Sequence, residues 1–187
     1  MKILTGKFKR RNIIVPKDHA KVRMTTGIVK EAVINIFKDF IEDSTILDVF
    51  AGSGNVGIEF LSNNAGKVVF IDSSHKNINI IKTNLEKLEI NKNQYELITN
   101  DFQIGIKRAA AHNKFDFIYL DPPYHTNMLL QALMLISTLD ILSEDSVIIA
   151  EHHIKERLDN NIGSLEKFDH RRYGTVILDF YRKKLDL

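Results

Sequence analysis

The sequence predicts a doubly wound α/β fold with a mostly parallel, seven-stranded sheet, and three observations carry that expectation. From residue 44 onward, short β-branched runs alternate with longer amphipathic stretches, the pattern of successive strand–helix–strand units. The strands are continuously apolar rather than alternating, as strands buried on both faces are. The 187 residues suffice for one domain with a full core, and 44% hydrophobic with 27% charged residues is ordinary for such a domain.

Taken in order, residues 1–20 read as a short β-rich arm and 26–41 as a helix with Ile28, Ala32, Ile36 and Phe40 among its apolar positions. The run Thr45-Ile46-Leu47-Asp48-Val49-Phe50 is a buried strand, and glycine-rich residues 51–57 lead into a helix ending near Ser62. The next strand is Lys67 to Asp72, and residues 75–90 place Ile78, Ile81, Leu85 and Leu88 at helical spacing. A third strand spans Tyr95 to Thr99, followed by a short helix over 101–112. A fourth strand, Phe115 to Asp121, is stopped by a double proline. A helix over about 126–141 and a strand over 147–151 follow. The tail, Leu165 to Arg172 and Thr175 to Arg182 joined at Tyr173-Gly174, predicts a terminal antiparallel hairpin.

The net charge of +2 hides an asymmetry. Residues 1–30 carry nine Lys or Arg against one acid, Asp18, which makes them +8 and leaves the other 157 residues at −6. A basic arm on a mildly acidic body suits a polyanionic partner, although a solvated surface loop would look the same. The absence of cysteine excludes a disulfide framework, thiolate metal sites and Cys nucleophiles. No apolar run reaches the ~18 residues of a membrane span, and Met1 to Lys7 lacks the apolar segment of a signal peptide. A cytoplasmic protein is expected.

Two features then point to a nucleoside-bearing ligand. In Asp48-Val49-Phe50-Ala51-Gly52-Ser53-Gly54 the glycines let the backbone turn sharply ahead of a helix N-terminus, which offers unpaired N–H groups. Gly52, Gly54 and Gly57 also satisfy the dinucleotide spacing G-x-G-x-x-G. An acid inside the first strand, Asp48, would repel a pyrophosphate but suits the cationic sulfonium and amino group of S-adenosylmethionine; capping of local amides is the simpler alternative. Asp72 ends the second strand, 18 residues after Gly54, where a carboxylate can accept both ribose hydroxyls of an adenosine. Helix capping is its alternative role, one that Ser73 or Ser74 could fill instead. Asn100-Asp101, after the third strand, is placed to meet an adenine amine or simply to cap the next helix. The candidate cofactor residues are Asp48, Phe50, Ala51, Gly52, Ser53, Gly54, Asp72, Ser73, Asn100 and Asp101.

The candidate catalytic residues are Asp121, Pro122, Pro123 and Tyr124, at the carboxyl end of the fourth strand, where ligands bind in such sheets. Two prolines remove two N–H donors and fix the backbone. What remains is an acceptor-only surface, a carboxylate and a backbone carbonyl. An exocyclic amine has two N–H donors and a lone pair conjugated to its ring. Holding both hydrogens in acceptors lets the nitrogen rehybridise toward a methyl group. Tyr124 can stack on the base, worth roughly 1–3 kcal/mol. Read alone, the tetrapeptide could be a strand-terminating turn.

Together these residues resemble the class I amino-methyltransferases. Gly6-Lys7-Phe8-Lys9-Arg10-Arg11, Arg23-Met24-Thr25-Thr26, Lys30-Glu31, Asn35 and Glu59-Phe60-Leu61-Ser62 narrow this. They are similar to the bacterial 16S ribosomal RNA guanine-N2 methyltransferases, the RsmD-like family, over essentially the whole chain. The family's usual R-P-T-T has Met24 for proline here, its R-E is Lys30-Glu31, and its S-R-G-A is Ser62-Asn63-Asn64-Ala65. The resemblance implies a Rossmann-like methyltransferase fold, S-adenosylmethionine as cofactor and guanine N2 as acceptor, in 16S ribosomal RNA presented by an assembled small-subunit particle. It further implies a monomer with a basic RNA-contacting arm at 1–25 and a methyltransferase domain at 26–187. Lys7, Lys9, Arg10, Arg11, Arg23, Thr25 and Thr26 are then the candidate RNA-binding residues.

Rival readings are a DNA adenine-N6 or cytosine-N4 methyltransferase, which shares D-P-P-Y, and a catalytically silent RNA-binding assembly factor. A protein glutamine methyltransferase prefers Asn where this chain has Asp121. No metal site is expected, because His152 and His153 are adjacent on a strand and point to opposite faces.

Overall fold

The computed structural model describes residues 1–16 and 24–184, the side chains of residues 24–26 excepted. Its elements are α1 (Met24–Phe37), β1 (Thr45–Val49), α2 (Asn55–Ser62), β2 (Lys67–Asp72), α3 (His75–Lys87), β3 (Tyr95–Thr99), α4 (Phe102–Ala110), β4 (Phe115–Leu120), α5 (Met128–Ile136), β5 (Leu142–His153), β6 (Asn161–Ile162), β7 (Leu165–Tyr173) and β8 (Val176–Lys183). They build one sheet in the order β3-β2-β1-β4-β5-β8-β7-β6. The first five strands in that order run parallel, and β8, β7 and β6 are antiparallel. From β1 the chain winds outward to β3, then crosses back to β4 on β1's other side. The crevice between the carboxyl ends of β1 and β4 is therefore the topological switch point, where ligands bind in such sheets.

Strand alternation sorts the core into two layers. Ile46, Val68, Phe70, Phe117 and Ile149 pack under α1, α2 and α3; Leu47, Val49, Ile71, Ile118 and Ile148 pack under α4 and α5. The predicted doubly wound sheet and terminal hairpin are present, the hairpin turning at Gly174 with φ 63°. The sheet has eight strands rather than seven. The extra one, β6, is two residues long and pairs with the start of β7 around Gly163, too short to carry a periodic pattern. Among the described residues no helix is long and apolar enough to cross a membrane.

Two expectations are corrected. The α5 helix stops at Ile136 rather than near 141, because the hydroxyls of Ser137 and Thr138 bond back to the carbonyls of Met134 and Leu135 and compete with the helical ladder. The α1 helix buries Val29, Val33, Ile34 and Phe37, whereas Ile28 is 59% exposed and Phe40, beyond the helix, is 71% exposed. Two neighbouring stripes of α1 are apolar, and contact with the sheet selects one. In the arm, an isolated antiparallel bridge joins Lys2 and Asn12, flanked by backbone hydrogen bonds from Ile3 to the Arg11 carbonyl and between Met1 and Ile13.

That arm is packed onto the body. Ile3 and Ile13 are buried in the layer under α1–α3. The carboxylate of Glu59, fully buried on α2, accepts the backbone N–H groups of Leu4 and Thr5 at 2.9 and 2.6 Å and the Thr5 hydroxyl at 2.8 Å. The same carboxylate pairs at 2.7 Å with the buried Lys30 ammonium of α1, which also donates to Asn55 Oδ1 at 2.7 Å. Ser62 accepts from Phe8 N–H and donates to the Thr5 carbonyl. One acid thus joins α1, α2 and the arm.

Candidate active site

The loop after β1 turns into α2 through three residues in the left-handed region, Phe50, Gly52 and Gly54, with φ of 63°, 57° and 74°. Phe50 pays for this conformation with strain of the kind found at ligand sites, and its ring packs against Phe102 with centroids 5.1 Å apart. The third glycine does something else. A Cβ on Gly57 would stand 2.2 Å from the Phe70 ring, so this glycine lets α2 lie close on β2. Gly57→Ala should therefore cost roughly 1–3 kcal/mol by overpacking. Denaturant unfolding checks this, and an unshifted midpoint would contradict it.

Asp72 braces the loop. Its carboxylate accepts Gly52 N–H at 2.8 Å, Ser74 N–H at 2.8 Å and the Asn77 amide at 3.1 Å. Ser74 is the N-cap of α3, so capping does not require Asp72 to leave the cleft. Asp48, 2% exposed, accepts Gly57 N–H at 2.9 Å. Burial pushes its carboxyl up to about 7, with the Gly57 hydrogen bond opposing and the Asp72 charge adding. Amide capping and cleft lining are thus both true of Asp48. Asp101 caps α4 by accepting Gln103 N–H at 2.8 Å, and Asn100 donates its N–H to the Asp72 carbonyl.

These side chains surround a cleft of about 620 Å³ at the switch point. All ten candidate cofactor residues except Gly54 line it, together with Asp121, Pro122, Pro123 and Tyr124. Gly54 sits behind the loop against Ile81 of α3. Five carboxylates face the cleft, those of Asp48, Asp72, Asp101, Asp121 and Glu151, and among the described residues no Lys or Arg does. Such a wall repels a dinucleotide pyrophosphate and attracts a cation, so the donor set fits S-adenosylmethionine.

Sequence reasoning missed two residues at the floor. Glu151, near the carboxyl end of β5, is 4% exposed. One of its oxygens accepts a short hydrogen bond from the Tyr119 hydroxyl and the other accepts from Tyr124 at 3.4 Å. Burial and the Glu151 charge push both tyrosines up. The available signal was an acid closing an apolar strand, Ile148-Ile149-Ala150-Glu151, the pattern that exposed Asp48. In the tetrapeptide, Pro122 is buried and the Pro123 carbonyl accepts the Thr126 hydroxyl at 2.8 Å.

Lys7, Lys9, Arg10 and Arg11 are exposed on one turn of the arm. The turn is pinned where Lys7 N–H meets the Ser62 carbonyl at 2.7 Å and Arg11 reaches the Lys87 carbonyl at 2.8 Å. None of the four lines the cleft. Arg23 and the side chains of Thr25 and Thr26 lie outside the described residues. The His152 and His153 rings diverge: His152 meets Asp179 at 3.1 Å, and His153 faces Tyr124 and His125.

The family model described as Conserved hypothetical protein 95 matches residues 1–182. YlbH of Bacillus subtilis is 34% identical over 98% of this chain and 100% of its own length. The ribosomal RNA small subunit methyltransferase D of Haemophilus influenzae is 33% identical, over 81% of this chain and 78% of that protein. Among solved structures, HI0767 from Haemophilus influenzae superposes with a TM-score of 0.80 at 28% identity, covering 97% of both chains.

Proposed function

The chain belongs to the RsmD family of S-adenosylmethionine-dependent methyltransferases, and from that premise we propose that it methylates the exocyclic N2 amine of one guanine in 16S ribosomal RNA. It acts as a cytoplasmic monomer on the small-subunit particle. The observation that carries this reading is the acceptor-only surface of Asp121 and Pro122, beside Tyr124, on the wall of a switch-point cleft whose charged lining among the described residues is acidic.

S-adenosylmethionine supplies an electrophilic methyl group. The target base is flipped out of its stack into the cleft. Asp121 and the Pro122 carbonyl hold the two amine hydrogens, Tyr124 stacks on the ring, and the proton released from nitrogen passes to the Asp121 carboxylate or to water. Alignment of the acceptor nitrogen contributes most of the acceleration. Asp72 accepts from the ribose, and Asp48 faces the cationic end of the cofactor. Residues 1–25 form the RNA-contacting arm, with Lys7, Lys9, Arg10, Arg11, Arg23, Thr25 and Thr26 against the RNA. The test is mass mapping of 16S ribosomal RNA from a strain deleted for the gene and complemented with it. A single methylguanosine should vanish and return, and an unchanged map would refute the proposal.

The elevated pKa of Asp48 makes cofactor binding pH-dependent. Between 3.8 and about 7 the native carboxyl holds a proton that the unfolded chain has released. The free protein therefore loses stability as pH rises through that window. A cationic ligand favours the ionised carboxylate, so affinity should rise by up to about tenfold per pH unit below 7 and level off above it. Calorimetry between pH 5.5 and 8 should show this slope in the wild type and none in Asp48→Asn. A flat wild-type profile would remove Asp48 from the cofactor site.

A further inference from the structure

The parallel register of β4 and β5 pairs Leu120 with Ala150, which puts Asp121 and Glu151 side by side at the carboxyl ends of neighbouring strands. The amine-holding arrangement of Asp121 and Pro122 gives Glu151 no task. Yet Glu151 lines the same cleft as Asp121, Pro122 and Tyr124 while being 4% exposed. Its hydrogen bond from Tyr124 is long, 3.4 Å, and a carboxylate has about four lone-pair sites. A stronger donor arriving in the cleft can take that oxygen.

The three nucleobase amines differ in what lies next to them on the Watson–Crick edge. Beside the guanine N2 amine is the ring N1–H, a donor. Beside the adenine N6 and cytosine N4 amines is a ring nitrogen carrying a lone pair. A second carboxylate next to the amine site pairs with the first and repels the other two. A single carboxylate with a carbonyl, as in Asp121-Pro122, serves all three alike.

We propose that Glu151 is the base-reading residue, accepting the N1–H of the flipped guanine while Asp121 and the Pro122 carbonyl hold its N2 amine. This rests on the guanine reading above and deepens it by assigning the choice of base to one side chain. Burial pushes the Glu151 carboxyl up, and the hydrogen bonds from Tyr119 and Tyr124 oppose this in favour of the carboxylate, against which adenine or cytosine in the same pose would set a lone pair. Sites built to bond a particular edge reject analogues in this way, by leaving a buried polar group without its partner.

The test uses the full chain and small subunits from a strain lacking the gene, with labelled S-adenosylmethionine and nucleoside mass spectrometry. Wild type should yield N2-methylguanosine. Glu151→Gln keeps shape and one neutral acceptor, so kcat/KM should fall about tenfold or more, with cofactor affinity within twofold and Tm little changed. Glu151→Asp, which keeps the charge but withdraws it by one methylene, should show a comparable loss and stands in if the glutamine variant does not fold. Tyr119→Phe removes a hydrogen bond to Glu151 but leaves the carboxylate, and should retain at least a third of wild-type activity. Glu151→Gln within twofold of wild type, or Tyr119→Phe reproducing its loss, would overturn base reading while leaving guanine methylation intact. A wild-type product of N6-methyladenosine or N4-methylcytidine would overturn both together.

Discussion

Asp121→Ala is expected to abolish methyl transfer, with a loss of roughly 10²–10⁴-fold in kcat, while binding of S-adenosylmethionine survives. On the proposed mechanism the substitution removes an acceptor that orients the amine and can take its proton, each a large contribution to such a reaction. The β4 strand ends at Leu120 and the two prolines that follow are unchanged, so the loop should hold its course. Asp121→Asn is the sharper variant. It preserves shape but lacks the charge and can turn a donor toward the amine, so it should recover little activity. Single-turnover assays on small subunits, with calorimetry for the cofactor, separate chemistry from binding. Near-normal turnover in either variant would remove Asp121 from the reaction.

The second large effect lies outside the cleft. Glu59→Ala leaves the Lys30 ammonium buried without its counter-charge and orphans the Leu4 and Thr5 N–H groups. Burial lowers the pKa of Lys30, and the Glu59 carboxylate opposes that shift. Breaking a buried pair by removing one partner costs about 3–5 kcal/mol. At about 2–4 °C per kcal/mol for a chain of this size, Tm should drop by roughly 6–20 °C. A compensating Lys30→Met should recover only part of this, since the arm's two backbone donors remain unpaired. Thermal unfolding of the single and double variants measures it, and a shift below about 2 °C would show that the clamp contributes little. The turn bearing Lys7 to Arg11 hangs on the same carboxylate through Leu4 and Thr5, so on the RNA-contacting role proposed for it RNA affinity should fall with the fold's stability.

The periodicity of the central strands made the fold legible in advance. Ile46 to Val49, Val68 to Ile71 and Phe117 to Leu120 are apolar at every step save Asp48, and only burial on both faces explains such runs. Their acids, Asp48 within the first strand and Asp72 and Asp121 at the ends of theirs, then stood out as charges set in or beside apolar runs. Glu151 carries the same signal, an acid after Ile148-Ile149-Ala150, but its place beside Asp121 depends on the pairing of β4 with β5, which adjacent positions do not encode. The α1 face, the end of α5 and β6 were illegible for simpler reasons. Two apolar stripes compete on α1, hydroxyl back-bonding after Ile136 leaves no periodic trace, and a two-residue strand has no period at all.

By itself the sequence determined the layer architecture and the tetrapeptide on which the proposed acceptor chemistry rests. Hydrophobic period and the residue types of Asp121-Pro122-Pro123-Tyr124 are local properties, written in adjacent positions. Tertiary structure decided what depends on residues far apart in the chain. It set the register that lays Glu151 beside Asp121, gathered five carboxylates around one cleft and joined Lys30, Glu59 and the arm. Buried charges interact through space in a medium that screens them weakly, so their partners, protonation and roles exist only once the chain has folded.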